Sequence, residues 1–228
     1  MSAPIKAIAF DAYGTLFDVY CMTTLAEVLF PDHGAALTTL WRDKQLNYSH
    51  IRTLSGRYKP FWEVTADALV YATTRLGLEL TDEKKRRLMN QYACLDPFPE
   101  NRETLAAMRD LGLPLAVLSN GNRSMLEIGL RFSGLADYFD HILSAEAVKK
   151  FKTAREVYAL ADQAFGLPPE EILFVSSNNW DVSAAGWFGY TTFWVNRDGQ
   201  CAEVLESPPT ASGPLLSDVL GFVRERQG

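Results

Sequence analysis

The chain has 228 residues, 47% hydrophobic and 22% charged, a balance that reads as globular and excludes a disordered polypeptide. A net charge of −6 with scattered Lys and Arg argues against nucleic acid, which needs clustered basic side chains. The longest basic run, Lys84-Lys85-Arg86-Arg87, reads as a solvated helix face, and no apolar stretch is long enough to span a bilayer, so no membrane partner is expected.

Along the chain, the first element is the apolar run ending in IAFDAYGTLFD, residues 8–18. It reads as a strand that delivers Asp11 and then turns at Gly14. The preceding IKAIAF is too short for a signal-peptide core. Residues 18–96 change character to helical spacing. Leu37, Leu40 and Trp41 mark a helix over about 37–48 that carries Arg42. Phe61, Thr65, Ala68, Leu69, Ala72 and Leu76 share one face of the next. Thr81-Asp82-Glu83-Lys84 reads as a helix start with acids in its first turn.

From Glu100 onward helices alternate with apolar runs. Leu115–Leu118 ends at Ser119-Asn120-Gly121, and His141–Ser144 follows after a helix. A helix near 156–165 precedes Ile172–Val175, which ends at Ser176-Ser177-Asn178; one more leads to Thr191–Val195. Residues 207–213 read as a loop before a final helix. Apolar runs separated by helices predict a parallel sheet buried on both faces. The expected fold is therefore α/β, a doubly wound, Rossmann-like core of residues 1–17 and 97–228. An all-helical insertion, residues 18–96, follows the first strand. Cys21, Cys94 and Cys201 are far apart and without CxxC spacing, which fits neither a disulfide framework nor a zinc site and suits a cytoplasmic protein.

Asp11, Ser119-Asn120 and Ser176-Ser177-Asn178 all follow strand C-termini, the edge where parallel sheets bind ligands. Asp11 alone reads more readily as a strand-terminal turn residue than as a catalytic one. With Lys152 nearby to hold it ionised, it becomes a candidate nucleophile or base, and Asp181 could pair with Lys152. Ser119 and the N–H groups of the following helix start offer a place for a small anion. No histidine adjoins a strand-end serine or cysteine, and neither GxxxxGK[ST] nor GxGxxG occurs.

On these residues the chain resembles the haloacid dehalogenase superfamily. DAYGTLFD is similar to its first motif, Ser119-Asn120 to its second, Lys152 to its third and Ser176 through Asp181 to its fourth. The helical insertion stands where that superfamily has its cap. Its phosphatases carry a second acid two residues after the nucleophile, where this chain has Tyr13. Their fourth motif supplies acids for magnesium, whereas SSNNWD offers Asp181 alone.

The resemblance therefore points to the L-2-haloacid dehalogenases, and implies no metal and no cofactor. It implies that Asp11 attacks C2 of a 2-haloalkanoate and that the halide ion leaves toward Arg42 and Asn120. Ser119 would hold the substrate carboxylate, and Lys152, Asn178 and Asp181 would orient the hydrolytic water. Thr15, Tyr158 and Ser176 match supporting polar positions, and Tyr13, Leu46, Phe61 and Trp180 match an apolar pocket. It also implies a homodimer.

Two departures stand out. Thr153 replaces the proline that usually follows the lysine, and Thr153 with Glu156 is expected to form a substitute capping box. Asp43 beside Arg42 replaces a neutral glutamine and is expected to face solvent. A magnesium-dependent small-molecule phosphatase and a non-catalytic α/β regulatory protein stay open as alternatives.

Overall fold

A computed structural model describes residues 3–227. Its sheet has six parallel strands in the order β3-β2-β1-β4-β5-β6: β1 Ala7–Phe10, β2 Leu115–Ser119, β3 His141–Ser144, β4 Ile172–Ser176, β5 Thr191–Val195 and β6 Ala211–Gly213. Every residue of β1, β2 and β4 is buried. That explains their unbroken apolar sequences, because helices cover both faces of a parallel sheet. The edge strand β3 is only half-buried over His141–Leu143. The register places Phe10 beside Val117 on one side and Val175 on the other, so Asp11 leaves the sheet between the ends of β2 and β4.

Around the sheet lie α5 Asn101–Asp110, α6 Arg123–Ser133, α7 Arg155–Phe165, α8 Asn179–Phe188 and α9 Ser217–Gln227. Between β1 and β2 come α1 Met22–Leu29, α2 Gly34–Leu54, α3 Phe61–Arg75 and α4 Asp82–Ala93. The chain leaves for these helices and returns at one place, where Phe17 pairs with Pro97 and the Asp18 N–H donates to the Asp96 carbonyl at 2.8 Å. Helix α2 packs on α1 and α3, and α4 reaches α6 beside the sheet. Of the face that the spacing predicts, Phe61, Thr65, Ala68, Leu69 and Ala72 are fully buried and Leu76, just past the end of α3, is half-buried; Val64 is fully buried beside them. Thr81 caps α4, its hydroxyl accepting from the Lys84 N–H at 3.3 Å, with Asp82 and Glu83 in the first turn.

Two local expectations fail. Residues 211–213 form a short strand on the sheet edge instead of continuing a loop. Thr153 does not cap α7: Ala154 occupies that position without a side-chain bond, and Glu156 pairs with Lys150 instead. The helix begins at Arg155, one residue later than the capping box requires, so Glu156 is not at the position that reaches back to Thr153. The Lys152–Thr153 peptide is cis. No helix among the described residues is long and apolar enough to cross a membrane.

Candidate active site

β1 ends by presenting Asp11, only 6% exposed, and Gly14 at φ +95° turns the chain away; the N–H groups of Leu16 and Phe17 both return to the Ala12 carbonyl. The turn is pressed so closely on the end of β4 that a β-carbon at Gly14 would stand 2.9 Å from Ser177 Oγ. Thr15 pins the same contact: its hydroxyl oxygen accepts from the Ser177 N–H at 2.8 Å.

Each Asp11 oxygen is held. Lys152 Nζ donates to Oδ1 at 2.9 Å, while Asn178 Nδ2 and Ser176 Oγ donate to Oδ2 at 2.9 and 3.4 Å. Lys152 also donates to Asp181 Oδ2 at 2.7 Å, and Tyr158 Oη donates to Asp181 Oδ1 at 2.7 Å. The Lys152 backbone N–H donates to Asn120 Oδ1 at 2.8 Å, so the end of β2 places the lysine. Asp11, Ser176, Asn178, Lys152, Asp181, Tyr158 and Asn120 thus form one hydrogen-bonded cluster. Asp181 is fully buried, its Oδ2 held by Lys152 and its Oδ1 by Tyr158, so it anchors both side chains.

One ammonium faces two carboxylates here. Burial pulls the Lys152 pKa down, but Asp11 and Asp181 outweigh it, and the ammonium stays firmly protonated. Burial pushes Asp181 up to about 6 against the attraction of Lys152, and the charge of Asp11 adds to the rise. Burial, with Asp181 beside it, also keeps the Tyr158 hydroxyl protonated.

The Tyr13 carbonyl accepts from Asn178 Nδ2 and from Arg42 Nη2, both at 3.3 Å. The half-buried Arg42 also donates to Gln45 Oε1 at 2.7 Å. Tyr13 itself is 4% exposed, its ring wedged among Tyr92, Phe61 and Phe17 with centroids 5.5, 5.8 and 5.9 Å away. Phe61 is fully buried between Tyr13 and Phe151, so it backs the Tyr13 ring and has no exposed wall of its own.

A cleft of about 510 Å³ adjoins this cluster at Asn178, with Leu46, Arg42, Ser177 and Trp180 also in its wall. Trp180 meets His50 of α2 edge to face at 5.4 Å. Asp43 is solvent-exposed, as expected, yet it stands at the cleft mouth beside Arg42.

Ser119 is fully buried at the end of β2, where its oxygen accepts from the Gly121 N–H at 3.2 Å. At the helix start after it, Glu146 accepts from the Arg123 N–H at 3.3 Å and from Asn122 Nδ2 at 3.0 Å.

Several residues escape sequence reasoning. Asn122 Oδ1 accepts from the Trp62 N–H of α3 at 2.8 Å, tying insertion to core. Arg197, from the end of β5, stacks on Phe98 at 3.6 Å, pairs with Glu100 and donates to the Thr15 carbonyl at 3.3 Å. Gln45 and Tyr92 lie behind Arg42. A signal existed only for Asn122, a residue with cap chemistry just before a helix.

The haloacid dehalogenase-like hydrolase family model matches residues 5–189. The (S)-2-haloacid dehalogenase of Pseudomonas sp. (strain YL) is 43% identical over 205 residues, 90% of this chain and 88% of that protein. The crystal structure of the L-2-haloacid dehalogenase RSc1362 superposes with a TM-score of 0.96 at 53% identity, covering 97% of this chain and 100% of the other. The L-2-haloacid dehalogenase from Xanthobacter autotrophicus with chloropropionic acid covalently bound gives a TM-score of 0.91 at 37% identity over 96% and 98% of the two chains. On the family match over most of its length, the sequence identity and the superposition, the chain belongs to the haloacid dehalogenase-like hydrolases, in the branch that holds the L-2-haloacid dehalogenases.

Proposed function

We propose that this protein hydrolyses short (S)-2-haloalkanoic acids to (R)-2-hydroxy acids and halide through an ester on Asp11, without metal. The observation that carries this reading is the engagement of the Tyr13 carbonyl and both Asp11 oxygens by nitrogen or hydroxyl donors. A magnesium-dependent phosphatase would need that carbonyl and that carboxylate as oxygen ligands, and an acid where Tyr13 stands. The donor set does not fit the ion: an ammonium bridges Asp11 and Asp181. Halide needs no proton to depart, so a nucleophile without a partner acid suffices.

In the first step an Asp11 oxygen attacks C2 in line with the carbon–halogen bond. That bond breaks, and halide leaves with the electron pair toward Arg42 and Asn120. Ser119 holds the substrate carboxylate. Holding the reactants in line supplies up to roughly 7–11 kcal/mol of the barrier reduction. Water then adds to the Asp11 carbonyl carbon while the donors on the other oxygen stabilise the oxyanion. The ester's carbonyl C–O bond breaks; one proton of the water goes to the departing hydroxyl oxygen and one to solvent. The product hydroxyl oxygen therefore comes from Asp11, and C2 inverts once. The covalent chloropropionic acid complex of the Xanthobacter autotrophicus relative supports an ester intermediate. In this reading residues 18–96 act as a cap on a core of 1–17 and 97–228, and the protein works as a cytoplasmic homodimer.

The test is chloride release from each enantiomer of 2-chloropropionate in the presence of chelator. Release from the (S) enantiomer alone, yielding (R)-lactate, is expected; no chloride from either, or loss of activity with chelator, overturns the proposal. Turnover in H₂¹⁸O is expected to label Asp11, and Asp11→Asn to abolish release while the fold persists.

A further inference from the structure

Gln45 stands on α2 less than one turn beyond Arg42. A polar amide on a helix reads as a solvated face, yet this one is 1% exposed. Its Nε2 lies 2.6 Å from Thr65 Oγ1 on α3 and 3.0 Å from Tyr92 Oη on α4, and its Oε1 accepts from Arg42 Nη1 at 2.7 Å. One amide thus joins three helices of the insertion.

The orientation of that amide is determined by its neighbours. The Thr65 hydroxyl donates its single proton to the Phe61 carbonyl at 2.8 Å, so toward Gln45 it acts as an acceptor. The amide nitrogen therefore faces Thr65, and the oxygen is left for the guanidinium. Arg42 is consequently fixed at two points, Gln45 Oε1 and the Tyr13 carbonyl, and the Tyr92 ring at the same amide stacks on Tyr13 at 5.5 Å with a 23° tilt.

We infer that Gln45 is a positioning residue for Arg42 and thereby governs how well poor leaving groups are expelled. This rests on the reading above in which Arg42 receives the halide. Chloride departs with its charge more concentrated than bromide and depends more on fixed N–H donors in the transition state. A loosened Arg42 therefore slows carbon–chlorine cleavage more than carbon–bromine cleavage, whereas general damage to the fold slows both alike.

The test compares kcat/KM for (S)-2-bromopropionate and (S)-2-chloropropionate in wild type, Gln45→Met, Thr65→Val and Arg42→Lys. Gln45→Met keeps the volume and removes the acceptor; it is expected to raise the bromide-to-chloride ratio at least tenfold through kcat, with KM within twofold of wild type. Thr65→Val leaves Gln45 present but unoriented and is expected to raise the ratio at least threefold. Equal loss on both substrates in Gln45→Met and Thr65→Val, alongside a raised ratio in Arg42→Lys, overturns the role of Gln45 alone. An unchanged ratio in Arg42→Lys overturns Arg42 as halide acceptor. A wild-type protein that releases neither halide overturns the proposed function and this inference with it.

Discussion

Lys152 and Asp181 meet at 2.7 Å in a space closed to water, the ammonium side chain 1% exposed and the carboxylate 0%. A buried pair of this kind is weak support for stability, because desolvation offsets much of the attraction. Its effect is on charge: with Asp11 2.9 Å from the same ammonium, the cluster carries one negative charge too many when both acids are ionised.

That surplus charge sets a pH dependence. Burial and Asp11 push Asp181 up to about 6, so acidification adds the cluster's proton near that pH and weakens one anchor of Lys152. We expect kcat/KM to fall as pH drops through about 6, and the limb to disappear in Asp181→Asn, which is slower at every pH. Stability runs the other way. A carboxyl that holds its proton more tightly folded than unfolded contributes fully below about pH 4 and loses that contribution as pH rises through about 6. The Tm of wild type minus that of Asp181→Asn is therefore expected to decrease between pH 4 and 7.

The cleft mouth predicts an unusual salt response. Asp18, Asp43, Asp198 and Glu203 stand around it against Arg42 and Arg197, and Arg197 is paired with Glu100. An anionic substrate is repelled there at low salt, and a Debye length of about 8 Å at 0.15 M screens the repulsion. Steady-state kinetics are expected to show kcat/KM rising about two- to threefold from 10 to 150 mM salt. Asp43→Asn is expected to raise the low-salt value and flatten the response.

Asn122 closes the first turn of α3 from the core side, its Oδ1 2.8 Å from the Trp62 N–H. Asn122→Ala removes a helix cap and is expected to cost about 1 kcal/mol. In a chain of this length that lowers Tm by about 2–4 °C in a thermal melt.

Gly121 leaves no room for a side chain. A β-carbon there would stand 2.9 Å from Tyr13 Cε2 and 3.1 Å from Leu126 Cδ2. Tyr92, Phe61 and Phe17 hem the Tyr13 ring in, so it has little freedom to yield. Gly121→Ala is expected to cost about 1–3 kcal/mol in chemical denaturation and to lower kcat by displacing Tyr13.

Much of this was legible in the sequence for a physical reason. β1, β2 and β4 are buried on both faces and therefore unbroken in hydrophobicity, and the polar residues at their ends converge because the strands are parallel. β6 was missed because Ala-Ser-Gly has no apolar signature, and its pairing comes from an edge left open by β5. The Thr153 cap failed because α7 begins one residue later, with Ala154 at the cap position and Glu156 paired with Lys150. The contact of Glu146 with the start of α6 left no sequence mark either, since Glu146 arrives from 23 residues away. Gln45 carries no local mark at all: its importance comes from Thr65 and Tyr92, 20 and 47 residues on.

The pairing of Phe17 with Pro97, and of Asp18 with Asp96, bears on how this architecture tolerates change. To the sheet, the long excursion between β1 and β2 has the span of a hairpin, since its ends already touch. Helices could lengthen, shorten or be exchanged beyond that stem without altering a single strand neighbour. The place of Asp11 in the sheet is thereby independent of the helices that carry Arg42.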